Sequence, residues 1–168
     1  MKRLNLISSI LFVAMALTVG CTKSSVDQPT GEKYLLTSEP KGGQDVVDAK
    51  KTAKDGDDIV IVGRIGGDID PWVKNRAAFT IVDPAIDSCS DISGDSCPTP
   101  WDYCCRTDEL PAGRALVKIV DADGKLVKTG AQKLLNVEPL QTVIVQGKAE
   151  VDDEGNLAVL ATGIFVRK

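Results

Sequence analysis

Hydrophobic residues are spaced along five segments of the chain in the manner of β-strands. Some segments are runs of β-branched residues and others alternate apolar with polar residues; the five are 58–67, 77–83, 114–121, 141–151 and 157–166. A period of two points one row of side chains into a core and the other toward solvent. The pattern therefore predicts five strands, joined by turns rich in Asp and Gly.

Two segments have the spacing of short helices. Val46, Val47, Ala49 and Ala53 lie among charged residues in the first, which spans 45–54, and the second spans 131–137. Each is long enough for only one to three helical turns. Gly63 interrupts the first strand segment, and a glycine inside a strand predicts a bulge or bend.

The order is three strands, a short helix and two strands. The first and fourth strands carry similar phrases, Ile59-Val-Ile-Val-Gly-Arg64 and Val143-Ile-Val-Gln-Gly-Lys148. Over residues 58–166 this order resembles the OB-fold, a five-stranded Greek-key barrel. The expected fold is thus mostly β, a small OB-fold-like barrel with one or two short helices and a cysteine-rich loop insertion. Another small β-barrel or a sandwich is the alternative.

The amino terminus has the pattern of an export signal. Lys2 and Arg3 precede the uncharged stretch 4–20, which ends at Cys21. Leu17-Thr-Val-Gly-Cys21 resembles the lipobox of bacterial lipoproteins. The resemblance implies cleavage before Cys21, acylation of its sulfur (palmitate among the chains) and anchoring to a membrane of the cell envelope. Thr22 resembles sorting to the outer membrane, facing the periplasm. Ordinary secretion and an uncleaved anchor are the alternatives.

Three regions follow from these patterns. Residues 1–20 are the predicted signal peptide, and 21–43 are the lipidated cysteine with a flexible tether rich in Ser, Thr, Pro, Gly and charge. Residues 44–168 are the predicted barrel domain, with a cysteine-rich loop at 84–111. An apolar island at Tyr34-Leu35-Leu36 could instead add an edge strand to the domain.

Four of the five cysteines lie in this loop, which we call the cysteine loop (residues 84–111). They are Cys89, Cys97, Cys104 and Cys105. An exported compartment permits oxidation, so the leading prediction is two disulfides in which Cys89 and Cys97 each pair with one member of the Cys104-Cys105 doublet. A four-thiolate site for zinc or iron, or a set of reactive thiols, is the alternative.

Four further residues are candidates for binding a partner. Trp101 and Tyr103 flank the cysteine doublet and could form a rigid aromatic tip, or else cover a disulfide or the end of the barrel. Trp72 and Arg76 lie between the first two strands, where the OB-fold family often places ligand-facing residues. A solvated loop with Trp72 folded back on the barrel is the other interpretation.

Charge and composition exclude several functions. The net charge of −4 argues against nucleic-acid binding, which requires an excess of Lys and Arg. The chain has no histidine, so Ser-His and Cys-His catalysis are excluded. The sequence contains no Ser-Lys or thioredoxin-like motif, and it indicates neither an enzyme nor a bound cofactor.

Together these features predict a non-enzymatic lipoprotein of the cell envelope. Its barrel would stand on a lipid tether and display a disulfide-braced loop to an envelope protein or a surface ligand. The alternative is a metal-binding (zinc or iron) or electron-transfer lipoprotein that uses the four loop cysteines as ligands.

Overall fold

The computed structural model describes residues 30–168, in which six strands and three short helices are found. The strands are β1 (Gln44–Asp45), β2 (Asp58–Ile65), β3 (Ala78–Val82), β4 (Arg114–Ile119), β5 (Thr142–Val151) and β6 (Leu157–Val166). The helices are α1 (Val46–Thr52), α2 (Leu110–Gly113) and α3 (Ala131–Leu135). Single 3₁₀ turns occupy Gly31–Tyr34, Cys89–Asp91, Pro100–Asp102 and Cys104–Arg106.

Strands β2 to β6 close into a barrel. β3 lies antiparallel to both β2 and β4, β4 lies parallel to β6, and β5 lies antiparallel to both β6 and β2. β1 adds a short parallel pairing outside β2. The predicted fold class is therefore confirmed: a closed, mixed five-stranded barrel, compatible with an OB-like barrel, plus one extra strand.

Alternate side chains of the strands fill the barrel. All of the following are fully buried: Ile61, Phe79, Ile81, Val117, Ile119, Val143, Val145 and Val159. The bulge or bend predicted at Gly63 is not found there, because the pairing of β2 with β5 continues through Gly63 without a shift in register. A register shift occurs instead between β5 and β6, at Gln146/Gly147. A Cβ on Gly147 would stand 2.2 Å from the Leu160 carbonyl oxygen, so the strands approach too closely there for any side chain.

Both predicted helices are present, as α1 and α3, and α3 closes one part of the barrel with buried Ala131, Leu134 and Leu135. The described end of the predicted tether also packs on the domain. Tyr34 is buried, and the Leu36 amide donates to the Ile164 carbonyl at 2.7 Å. The apolar island thus forms a turn and one bridge rather than a strand.

The predicted signal peptide and Cys21 lie outside the described residues. Among residues 30–168, every helix is too short or too polar to span a bilayer.

Candidate metal centre

The cysteine loop is seated on a small hydrophobic cluster of its own. The members are Val82 at the end of β3, Ile86, Tyr103 and Leu110, with Leu140 packed against them. This cluster is separate from the barrel core. It gives the loop, which is otherwise mostly polar, an apolar base.

Tyr103 fixes the position of the cysteine doublet. Its backbone has φ 59° and ψ 33°, a left-handed conformation that is uncommon for a residue other than glycine, and it separates the turns 100–102 and 104–106. Its ring is fully buried, and burial raises the pKa of the phenol to about 12. A buried ring on one side and a tight turn on the other leave Cys104 and Cys105 little freedom.

Gly66 allows this close docking. A Cβ at Gly66 would lie 2.5 Å from the Trp101 carbonyl oxygen and 2.8 Å from Cε2 of Tyr103. The next residue, Gly67, donates its amide to the Trp101 carbonyl at 2.7 Å and has φ 87°. The loop after β2 therefore contacts the backbone of the cysteine loop directly, which only residues without a side chain permit.

Arg64 of β2 anchors the other end of the loop. Its Nη1 donates to Oδ2 of Asp91 at 2.5 Å, and that oxygen also accepts the amide and the hydroxyl of Ser88. Ser88 and Asp91 form a capping box around the turn that contains Cys89. The hydrogen bond from Arg64 holds the pKa of Asp91 below its usual range, because it favours the charged carboxylate.

The structure brings the four loop cysteines together. Sγ of Cys89 lies 3.3 Å from Sγ of Cys104 and 3.9 Å from that of Cys105. Sγ of Cys104 lies 3.8 Å from that of Cys97 and 3.9 Å from that of Cys105. Cys89 is buried, Cys97 is partly exposed, and Cys104 and Cys105 are exposed. We call these four side chains the sulfur cluster.

Four of the six sulfur–sulfur separations can be compared with those of thiolates on one ion, and the group within 4.8 Å of one another is Cys89, Cys97, Cys104 and Asp102. With Zn–S bonds of about 2.3 Å, two sulfurs on one tetrahedral ion stand about 3.8 Å apart. Three of the four distances match that value, and the Cys89–Cys104 distance is shorter. Within the described residues no two sulfurs stand at the roughly 2.0 Å of a disulfide bond, and the four thiols are free. The sulfur cluster could therefore hold a metal ion.

Two carboxylates lie beside the sulfur cluster. A carboxylate oxygen of Asp102 lies within 4.8 Å of the sulfurs of Cys89, Cys97 and Cys104, and an oxygen of Asp95 is similarly placed to those of Cys89 and Cys105. Both carboxylates also organise the backbone. Asp95 Oδ1 accepts the Cys97 amide at 2.6 Å, and Asp102 Oδ1 accepts the Cys104 amide at 2.8 Å.

The hydrogen bonds of the cluster favour a thiolate at Cys89. Burial raises the pKa of the Cys89 thiol, but hydrogen bonds with the Cys105 amide and with the three neighbouring thiols outweigh burial, so its pKa is lowered. Hydrogen bonds with Cys89, Cys97 and Asp102 raise the pKa of Cys104. The pKa of Cys105 is raised chiefly by its contact with Asp95. Because thiolate is the form that binds metals, Cys89 is the best-prepared ligand.

The predicted partner-binding residues have different surroundings. Tyr103 is buried, so its ring is not on the surface that a partner would meet. Trp101 is partly exposed and donates its indole N–H to the Ile69 carbonyl at 3.1 Å. Trp72 packs on Phe79 with ring centroids 5.7 Å apart, and exposed Arg76 donates to the Asn75 carbonyl. Trp101, in the cysteine loop, is hydrogen-bonded to Gly67 and Ile69 of the β2–β3 loop, and Trp72 and Arg76 lie further along that β2–β3 loop.

Sequence reasoning missed the supporting residues of the site. Asp95 and Asp102 each stand two residues before a cysteine whose amide they accept, and Asx turns of this type have a local signal in the sequence. Arg64 and Gly66 had no such signal, because they reach the loop from a strand and its following turn across long stretches of chain.

Fold and site together define a small closed β-barrel with an inserted cluster of four thiols and two carboxylates. No protein-family model matches the chain, and a search of curated proteins also gives no match.

Proposed function

We propose that this chain is an exported, lipid-anchored binding module whose sulfur cluster holds a zinc or iron ion. The observation that carries the proposal is that the ligand atoms of Cys89, Cys97, Cys104 and Asp102 all lie within 4.8 Å of one another, with Cys105 3.9 Å from both Cys89 and Cys104. Tetrahedral sulfur sites are typical of zinc and iron. The lowered pKa of Cys89 and the fixed turns around the other cysteines support it.

Binding rather than catalysis is the proposed role. The sequence has no histidine to act as a general base, and the carboxylates nearest the sulfurs accept backbone amides, so they act as organisers of the loop. Thiolate ligands that surround an ion on all sides suit a structural or electron-transfer site. The proposed lipid anchor and the proposed location in the cell envelope are inferred from the export pattern at the amino terminus and from Cys21.

A disulfide-braced loop is the second candidate. It is favoured by the short distance between Cys89 and Cys104, 3.3 Å, and by the oxidising character of an exported compartment. In that state the loop would be ordered by covalent bonds and displayed to an envelope protein or surface ligand.

Elemental analysis of the full chain, isolated anaerobically from the envelope fraction, tests the metal proposal. We expect one zinc or iron per chain, lost in Cys89→Ser and retained in Cys21→Ser, which removes the proposed lipid site but no loop sulfur. Metal below about a tenth of an equivalent, with all four loop thiols protected from alkylation until reductant is added, would favour the disulfide-braced loop instead.

The same two variants test the anchor. Intact mass of the wild-type chain should show cleavage before Cys21 and added acyl groups, and Cys21→Ser should leave the membrane fraction. A full-length wild-type chain in the cytosol with its amino terminus uncut would contradict export.

A further inference from the structure

We propose that the sulfur cluster is a redox-controlled metal site, in which a low-molecular-weight disulfide oxidises Cys89 and Cys104 to one intramolecular disulfide and the metal ion leaves. This inference rests on the proposed function, because it assumes a metal held by the thiolates. It assigns different roles to the cysteines according to their exposure and distances.

Cys104 and Cys105 are the loop cysteines that an oxidant in solution can reach, and Cys104 is the one with a buried thiol nearest to it. Its side chain is exposed, and its sulfur is the centre of the cluster, within 3.9 Å of each of the other three. Cys89 is fully buried, so a disulfide molecule cannot approach it directly. An accessible thiol next to a resolving thiol is the arrangement common among redox-sensing cysteines.

The exchange proceeds in two balanced steps. Cys104, a thiolate when it is a ligand of the proposed ion, attacks one sulfur of an external disulfide, forming a mixed disulfide and releasing one thiolate of the oxidant. The Cys89 thiolate then attacks Cys104 Sγ, forming the Cys89–Cys104 bond and releasing the second thiolate. Two electrons pass from the two cysteines to the external disulfide, which is reduced to two thiols.

The distances select the pair. Cys89 and Cys104 are separated by 3.3 Å, whereas Cys97–Cys104, Cys89–Cys105 and Cys104–Cys105 are separated by 3.8 to 3.9 Å. A bond between the adjacent residues Cys104 and Cys105 would also strain the peptide between them. Cys89 is therefore the nearest nucleophile to a mixed disulfide on Cys104.

Loss of these two thiolates removes the centre of the ligand set. Both candidate groups of ligands contain Cys89, one with Cys97, Cys104 and Asp102 and the other with Cys105 and Asp95. After oxidation only two thiols remain, and the carboxylates are weaker ligands for a soft thiolate-bound ion. The turn that contains Cys89 stays attached to β2 through the ion pair of Arg64 with Asp91. The cysteine loop therefore keeps its position on the barrel while the ion is released.

Charge near the exposed sulfurs predicts which disulfides react fastest. Asp95 Oδ2 lies 3.4 Å from Cys105 Sγ, and Asp102 lies beside Cys104. These carboxylates repel an anionic oxidant. We expect the cationic disulfide cystamine to react roughly tenfold faster than anionic glutathione disulfide at low ionic strength, with the difference reduced by salt.

The test uses the full chain, purified anaerobically with its metal and treated with cystamine at pH 8. Metal release is followed with a chromogenic chelator, free thiols are counted by alkylation, and the disulfide is located by non-reducing peptide mapping. We expect release of the ion in step with the loss of two thiols, a single Cys89–Cys104 link, and recovery of metal binding after reduction.

Variants sharpen the assignment. Cys105→Ser keeps the reacting pair and the ligand group of Cys89, Cys97, Cys104 and Asp102, so it should still bind metal and release it on oxidation, whereas Cys104→Ser should form no disulfide to Cys89. If either variant fails to fold or to bind metal, peptide mapping of the wild-type chain still decides the pair.

The outcomes separate the two proposals. Metal bound but not released by disulfides, or released with a link other than Cys89–Cys104, overturns the redox inference and leaves the metal site standing. A chain isolated without metal overturns the proposed function and this inference with it.

Discussion

The barrel is stabilised by one set of interactions and the cysteine loop by another. The barrel has a continuous core of buried aliphatic side chains and a closed ladder of strand pairs. The cysteine loop adds three apolar side chains to a small buried cluster that includes Val82 of β3, and its remaining order comes from carboxylates, thiols and one ion pair with β2. The stability of the barrel should therefore not depend on metal or oxidation. The order of the cysteine loop should depend on both, because metal binding and oxidation change the bonding of its thiols and carboxylates.

The largest expected effect is in the barrel. Phe79 is fully buried and packs against the Trp72 ring at a tilt of 51°, so Phe79→Ala should lower the free energy of unfolding by about 3–5 kcal/mol. Urea unfolding monitored by Trp fluorescence measures this loss. Metal content of the fraction that remains folded should be unchanged. A loss below about 1 kcal/mol would mean that the barrel does not depend on its core in the way described.

The next largest effect is expected on the metal affinity of the cysteine loop, with the barrel unchanged. Gly66→Val places a side chain where the backbone of Trp101 and the ring of Tyr103 now lie, so the sulfur cluster should shift from its base. We expect the metal affinity to fall by about 10- to 100-fold, the range for displaced supporting groups. Competition with a chelator measures it.

Gly130→Ala is the matched control for that variant. A Cβ at Gly130 meets no atom within 4 Å, and Gly130 precedes α3 rather than the cysteine loop. Its metal affinity should equal that of the wild type. Equal affinities in Gly66→Val and Gly130→Ala would show that the docking of the loop on Gly66 does not support the site.

The barrel could be predicted from the sequence much better than the loop. The apolar run 157–166, which follows a turn rich in Asp and Gly, predicts β6 with its observed bounds, and the β-branched run from Asp58 predicts β2 to within two residues. Local periodicity determined these strands. Beyond β4, residues 125–128 contribute a single bridge between Val120 and Leu126.

In the loop, spacing identified the cysteines but not their arrangement. Clustering of four thiols in 17 residues predicted that they meet, as they do. Whether they pair or hold an ion depends on distances set by Gly66 and Arg64, which are remote in sequence. The burial of Tyr103 could not be decided from the sequence for the same reason: an aromatic beside a cysteine doublet has no periodicity, and its burial depends on contacts with Val82 of β3 and with Leu140.

A smaller effect is expected where the two regions meet. Asp91→Asn removes the charge that pairs with Arg64, whose side chain is 19% exposed, and should cost about 1 kcal/mol after allowance for solvent screening. The pKa of Asp91 is lowered in the folded state, so this stabilisation is present above the unfolded pKa of about 3.9 and is lost as pH falls through the folded value.

Acid titration measures the pH dependence of that pair. Between pH 7 and 5 the difference in unfolding free energy between the wild type and Asp91→Asn should stay constant, and below pH 4 it should shrink toward zero. A difference that grows as pH falls would contradict the sign of the shift and, with it, the view that Asp91 is held ionised by Arg64.

The smallest effect should come from the barrel seam. Asp58 of β2 and Lys148 of β5 are directly paired in register, with Nζ 2.9 Å from Oδ1, but their side chains are 87% and 57% exposed. Lys148→Met should therefore cost less than about 1 kcal/mol, with no change in metal affinity and no difference from wild type in concentrated salt. Urea unfolding at low and high ionic strength measures both. A larger loss that persists in salt would mean that the seam depends on this pair. The expected small loss of unfolding free energy would mean that the backbone pairing of β2 with β5, from Asp58 to Arg64, keeps the barrel closed. Neither a metal nor an oxidant can alter that pairing.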